Sequence, residues 1–305
     1  MNMAMISSQI GFEFQQASLL DGIDTLTDAG IGYLPIDQLA PLAQFHPSLW
    51  YGVDKTLEPA LKEQGISWSA RQSFYVAQLT DKLISVSKKA QGKPVRLLFS
   101  GESSAQLAQL QGAPVTVEAN PEMGVRGVSR LQQEAARNLF NWHCEALVAA
   151  MQAGCQNLEI VVPYCRTLSE AAKINDMLAE QGLCRGRHGL RVWLMACVPA
   201  NAILAEKFLQ YFDGLYLDLD ALTQHTLGVE CAYAYQNYLF NVQSDPMLVM
   251  LSAAIKQAQM MQKPVLARGA SIKDDGAMAE WLIEQGASAV VVPPEQVQAL
   301  LLQPA

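Results

Sequence analysis

The fold is decided between residues 158 and 218, which read LEIVVP (158–163), SEAAKINDMLAEQ (169–181), LRVWLMAC (190–197), NAILAEKFLQYF (201–212) and GLYLD (214–218). Each short run is apolar and rich in β-branched or aromatic residues. Each longer segment spaces its apolar residues three or four apart, as a helix with one buried face does. Strand candidates alternating with helix candidates predict a parallel β/α architecture. The runs are apolar on both faces, as a sheet covered on both sides requires. The alternation continues outward. Further strand candidates are 30–34, 94–99, 123–127, 264–267 and 287–293, and helical patterns occupy 17–29, 69–90, 129–153, 246–262 and 273–285. Eight strand candidates in 305 residues predict a single (β/α)8 barrel over 1–305, with an open doubly wound sheet as the alternative. No G-x-G-x-x-G opens a helix after an early strand, so the dinucleotide-binding version of the open sheet lacks its fingerprint.

Composition agrees with a large folded interior. Half the residues are hydrophobic, 16% are charged, and mean hydropathy is +0.10. Net charge is −8 with no basic run, so the electrostatic footprint of a general nucleic-acid binder is missing. No apolar stretch approaches the roughly 20 residues of a membrane helix. The first residues lack the charged and apolar regions of a secretory signal. The six cysteines (Cys144, Cys155, Cys165, Cys184, Cys197, Cys231) form no C-x-x-C pair. They are too sparse for a disulfide scaffold, and a cytoplasmic location is expected. Four histidines (His46, His143, His188, His225) show no structural-zinc spacing.

In such a barrel the chemistry sits at the C-terminal strand ends. Those ends carry Pro35 and Asp37, Leu98 and Ser100, Arg126 and Arg130, Tyr164, Cys165 and Arg166, then Cys197, Asp218, Asp220 and Arg268. The set is rich in arginine and poor in general bases. Arg126, Arg130, Arg166 and Arg268 are candidates to converge on a phosphate or carboxylate, which the guanidinium fork suits. The competing reading pairs them with Asp218, Asp220 and Glu145. Asp218 and Asp220 lie two apart, so with Cys197 they are weak candidates for a softer metal than Mg²⁺. Residues 231–240 (CAYAYQNYLF) place Tyr233, Tyr235, Tyr238 and Phe240 close together, suited either to an interface or to packing over the mouth.

Residues 120–130 (NPEMGVRGVSR) resemble the N-P-x-x-G-x-R-G-x-S-R segment of the phosphoenolpyruvate synthase and pyruvate phosphate dikinase family. Residues 160–166 (IVVPYCR) resemble its I-M-I-P-F-V-R, 181–190 (QGLCRGRHGL) its QGLKRGENGL, and 200–214 (ANAILAEKFLQYFDG) its SNALLAEQFLEYFDG. Residues 222–228 (LTQHTLG) resemble MTQLALG, 73–79 (SFYVAQL) resemble EFYVGRL, and 29–34 with His46 and Pro47 resemble G-V-G-L-A-R…H-P. The resemblance implies the phosphoenolpyruvate/pyruvate-binding barrel alone, without the ATP-binding and phosphohistidine domains, and a homodimer. It carries Arg126, Arg130, Arg166, Asn201 and Gln224 over as candidate ligand-binding residues.

At the catalytic positions the chain departs from the family pattern. The first-strand Arg falls on Pro35, with Asp37 in place of Glu two residues on. The second-strand Arg falls on Leu98, and Arg96, about 6–7 Å further down the same strand face, is the candidate substitute. The two family metal ligands fall on Cys197 and Ala221, and the acid/base Cys falls on Arg268. A thiol and a methyl are poor Mg²⁺ ligands, and Arg cannot act as an acid near neutral pH. The resemblance with these losses implies a catalytically degenerate barrel without Mg²⁺ that binds a small anion in a sensing role. An interaction protein without ligand and an enzyme of altered chemistry are the alternatives.

Overall fold

The computed structural model describes residues 7–15, 25–50, 55–115, 118–230, 238–274 and 276–301. Eight parallel strands close into a barrel: β1 (Ile10–Glu13), β2 (Ile31–Pro35), β3 (Val95–Leu98), β4 (Leu158–Pro163), β5 (Val192–Ala196), β6 (Gly214–Asp218), β7 (Val265–Arg268) and β8 (Ala289–Val292). Closure is made by β8 against β1, with Ile10, Gly11 and Phe12 opposite Val290, Val291 and Val292. Among the described helices are α1 (Glu58–Glu63), α2 (Arg71–Lys89), α3 (Ser104–Leu107), α4 (Glu134–Gln152), α5 (Leu168–Glu180), α6 (Pro199–Ile203), α7 (Ala205–Phe208), α8 (Leu219–Leu227), α9 (Asp245–Met260), α10 (Ala270–Asp274), α11 (Gly276–Glu284) and α12 (Pro294–Leu301). No described helix is long and apolar enough to cross a membrane.

The pleat explains the two-sided apolar strands. One set of side chains faces the helices in a large outer core that includes Leu97, Ile160, Val162, Leu194, Leu215 and Leu217. The alternate set fills the barrel with Leu98, Val161, Trp193, Met195, Tyr216, Leu266 and Val291. Trp193 fits because β6 opens on glycine: a Cβ on Gly214 would stand 2.3 Å from the Trp193 ring. Near the N-terminal ends of the strands, Arg96 lies 2.9 Å from Glu159 and donates to the Ala29 carbonyl at 3.0 Å. Trp193 Nε1 donates to the same Glu159 at 2.8 Å. Buried charges are tolerated there because each finds a partner.

Three expectations are corrected. Residues 123–127 are not a strand. They form turn and bend leading into a 3-10 segment, Gly127–Gln132, so Arg126 and Arg130 ride on the loop between β3 and α4. The eighth strand is instead β1, which precedes every strand read from the sequence. It is four residues long, and its neighbours β2 and β8 come from the two ends of the chain, so no local alternation marks it. The helix expected over 17–29 falls mostly outside the described residues, and Thr25–Ala29 are not helical.

Candidate functional site

At the C-terminal ends of the strands the barrel opens into a cavity of about 400 Å³. Its wall includes Tyr33, Asp37, Glu102, Arg126, Tyr164 and Arg268. Pro35 and Leu98 line it as well, supplying apolar surface where the resemblance expects arginines.

Arg268 ends β7 and turns inward to two carboxylates. Nη2 and Nε reach the two oxygens of Glu13 at 2.7 and 3.3 Å, and Nη1 reaches Asp218 at 3.0 Å. Its guanidinium carbon sits 4.4 Å from the Tyr33 ring centroid. Burial opposes the charge on Arg268, but the Asp218 and Glu13 carboxylates overcome it and hold the pKa above the ordinary arginine value. Asp218 also caps α8 by accepting from the Ala221 amide at 3.1 Å. Asp220 accepts from the Ala270 amide at 2.9 Å, and burial, then the Asp218 charge, raises its pKa. Neither Asp is therefore a free ligand. Cys197 is fully buried, and its thiol is pushed up first by burial and then by Asp218.

Arg126 lies flat on Tyr164, 3.8 Å above the ring centroid. It donates to the Gly101 carbonyl at 2.7 and 3.2 Å and to the Glu122 carbonyl at 3.3 Å. Tyr164 is set for this by a left-handed backbone (φ 49°). Gly127 also has positive φ, at 60°, and a Cβ there would meet the Pro163 carbonyl at 2.5 Å. The loop thus lies against the end of β4 only because residue 127 has no side chain. No carboxylate among the described residues lies within ion-pair distance of Arg126.

The other arginines do not converge on the cavity. Arg130 donates to the Glu102 carbonyl at 2.8 Å, to Ser104 Oγ at 3.2 Å and to the Val125 carbonyl. Arg166 donates to the Arg126 carbonyl and to Ser129 Oγ, both at 3.1 Å. Both pin the loop that carries Arg126. Arg96 is at the opposite end of the barrel, on Glu159, and cannot substitute at the mouth. Asn201 is buried and donates to the Cys165 carbonyl at 2.6 Å, and Gln224 lies on α8 outside the cavity wall. Of the seven ligand-binding candidates, only Arg126 and Arg268 border the cavity.

Two groups at the mouth escaped sequence reading, Glu13 beneath Arg268 and Glu102 in the wall. Glu13 belongs to β1 and was hidden with it; the signal was one acid inside the apolar run IGFEF (10–14). Glu102 and Asp37 share the edge between the mouth and a smaller neighbouring cavity. Burial raises Asp37 to about 6. Burial, then the Asp37 charge, raises Glu102 to about 8. Behind Asp37, at 3.8 Å, His143 Nε2 bonds Tyr75 Oη at 2.8 Å. Burial lowers His143 to about 3, which keeps the imidazole neutral. His225 bonds the Ala221 carbonyl at 2.7 Å and meets Tyr164 edge-on, so it packs beside the mouth. The aromatic stretch at 231–240 falls largely outside the described residues; Tyr238, within them, is 82% exposed.

The donor set does not suit a hard divalent cation. Among the described residues no group of three or more His, Cys, Asp or Glu is placed to hold a metal ion. The position between Glu13 and Asp218 is filled by a guanidinium.

A protein-family model described as "PEP-utilising enzyme, PEP-binding domain" matches residues 61–303. Phosphoenolpyruvate synthase of Escherichia coli (strain K12) is 32% identical over 244 residues, covering 79% of this chain and 31% of its own length. The Pseudomonas aeruginosa (strain UCBPP-PA14) phosphoenolpyruvate synthase is 32% identical over 249 residues, covering 81% of this chain and 32% of its own. That of Neisseria meningitidis serogroup B is 31% identical over 258 residues, covering 83% and 32%. The chain thus spans just under a third of the length of these curated relatives.

Proposed function

This chain belongs to the PEP-binding domain family of the PEP-utilising enzymes, and from that premise we propose that its barrel mouth binds a small carboxylate or phosphate anion without a metal ion. The role is sensing or regulation, not phosphoryl transfer. The observation that carries this reading is Arg126. Its guanidinium faces the cavity, is oriented by Gly101 and Tyr164, and has only carbonyl acceptors. A guanidinium that leaves donors unfilled in a concave site is suited to an oxyanion. Glu102, held protonated at neutral pH, removes one negative charge from the wall that an anion would approach.

The parent chemistry is disfavoured by three side chains. Cys197 is buried as the protonated thiol, and the thiolate is the form that ligates metals. Ala221 offers a methyl. Arg268, where the resemblance expects a proton donor, is tied to Glu13 and Asp218 and does not release a proton near neutral pH. This reading takes the protein as cytoplasmic and, by resemblance, as a homodimer. An interaction role remains the second reading, favoured by the exposure of Tyr238 and Leu239 (82% and 43%).

The test is a thermal-shift titration with phosphoenolpyruvate, pyruvate, oxalate and phosphate, each with and without Mg²⁺. A ligand at 100 times its Kd adds about 2.7 kcal/mol, which moves Tm by several degrees for a chain of this size. At least one anion is expected to raise Tm without Mg²⁺, and Arg126→Ala is expected to abolish the shift. No shift with any of the four, or a shift that requires Mg²⁺, refutes the reading.

A further inference from the structure

The mouth contains a cation-binding arrangement that the chain fills itself. Glu13 and Asp218 approach one point from β1 and β6, and the Arg268 guanidinium lies between them at 2.7 and 3.0 Å. The Glu13 side chain is fully buried, and those of Asp218 and Arg268 are 13% and 11% exposed. The Tyr33 ring closes a further side, with its electron-rich face 4.4 Å from the guanidinium carbon. A buried, two-sided anionic arrangement of this kind is unstable when empty, because each carboxylate would lose solvation without gaining a partner. A fixed cation relieves that cost permanently and holds the space a diffusible cation would need.

We propose that Arg268 is a tethered cation occupying a two-carboxylate cation site formed by Glu13 and Asp218, and that it thereby closes the barrel mouth to divalent metal ions. Two carboxylates against one guanidinium leave a single net negative charge, enough to hold Arg268 in place. The guanidinium nitrogens already take the oxygens of Glu13 and Asp218 that a hard cation would need, and the Tyr33 ring covers a further side. Removing the guanidinium leaves two facing carboxylates and a vacated volume, which is the starting requirement of a carboxylate-rich cation site. The inference shares its location with the proposed anion site. It concerns a different group, however, and is tested without any anion.

The test measures Mn²⁺ binding to the 305-residue chain, using loss of the free-ion EPR signal, and stability with millimolar guanidinium, far below denaturing concentrations. The wild-type protein is expected to show no saturable Mn²⁺ uptake. Arg268→Ala is expected to bind about one Mn²⁺ per chain and to gain about 2 °C or more in Tm from guanidinium, which does not stabilise the wild type. Adding Glu13→Gln is expected to abolish both gains. Arg268→Gln, which keeps most of the side-chain volume, is the companion should the alanine variant fold poorly. Equal Mn²⁺ uptake by wild type and variant, or a folded variant that gains neither ligand, overturns the proposal. So does saturable wild-type uptake that Asp218→Asn weakens, even if no Arg268 variant folds. An anion titration that fails while these outcomes hold would sink the anion reading alone.

Discussion

Asp37 and Glu102 are carboxyls whose protons the folded chain holds more tightly than the unfolded chain does. Burial raises Asp37 to about 6, and burial with the neighbouring Asp37 charge raises Glu102 to about 8. Both values exceed the ordinary carboxylate range, so between about pH 4 and 8 the folded chain binds more protons than the unfolded one. Their stabilising contribution is complete below about pH 4 and is lost as pH rises through 6 and then 8. His143 acts in the opposite sense. Burial lowers it to about 3, so it costs stability as pH falls below its unperturbed 6.5. Above about pH 7 Glu102 is the main one of the three still titrating. Melting temperature is therefore expected to fall between about pH 7 and 8.5 in the wild type and to stay nearly level in Glu102→Gln. Parallel curves for the two proteins would remove Glu102 as the cause. At this scale the sequence exposes residue types and spacing, but not acceptors. The pair Arg126 and Arg130 around Gly127 was legible as a site element. That Arg130 and Arg166 are spent on loop carbonyls was not, because those acceptors exist only once the loop has folded.

The inner ends of β3, β4 and β5 form one electrostatic unit. Arg96 sits on β3, Glu159 on β4 and Trp193 on β5, joined by an ion pair of 2.9 Å and a hydrogen bond of 2.8 Å. The Arg96 guanidinium also stacks 4.8 Å from the Trp193 ring centroid. Glu159→Ala strips a buried arginine of its counter-charge and an indole N–H of its acceptor. Breaking one side of such a pair costs about 3–5 kcal/mol, and chemical denaturation is expected to show it as a lower midpoint with unchanged m. A loss below about 1 kcal/mol would mean that water reaches Arg96. The elements themselves were largely readable, since seven of the eight strands announce themselves as apolar runs between amphipathic helices. The exceptions share one cause. Residues 123–127 carry apolar side chains at glycine-punctuated spacing but have no adjacent strand to pair with. β1 has only four residues, and its partners come from opposite ends of the chain. Local pattern detects amphipathicity, whereas strand pairing at this closure is non-local. Missing β1 concealed Glu13 as well, and with it the reason Arg268 is held where it is.

Closure is a property of the whole molecule. The match to the PEP-binding domain family covers residues 61–303 and so begins after β1 and β2. Those two strands nevertheless complete the ring, β1 pairing with β8 and β2 with β3. They also supply Glu13 and Tyr33 to the mouth, and Gly32, where a Cβ would stand 2.4 Å from a Val291 methyl carbon. Without them, β3 and β8 would each present an unpaired row of N–H and C=O groups, and the inner core would open to water along one side. Arg268 would keep Asp218 but lose Glu13 and the Tyr33 face. A chain restricted to residues 61–303 is therefore expected to lack a sharp, cooperative thermal transition and fixed near-UV aromatic signals while keeping much of its helical far-UV signal. The full chain is expected to show both transitions together. Cooperative melting of the shorter chain with native near-UV signals would mean that the barrel does not depend on β1 and β2 for closure. The mouth geometry built on Glu13 would then have to be regarded as incidental to the fold.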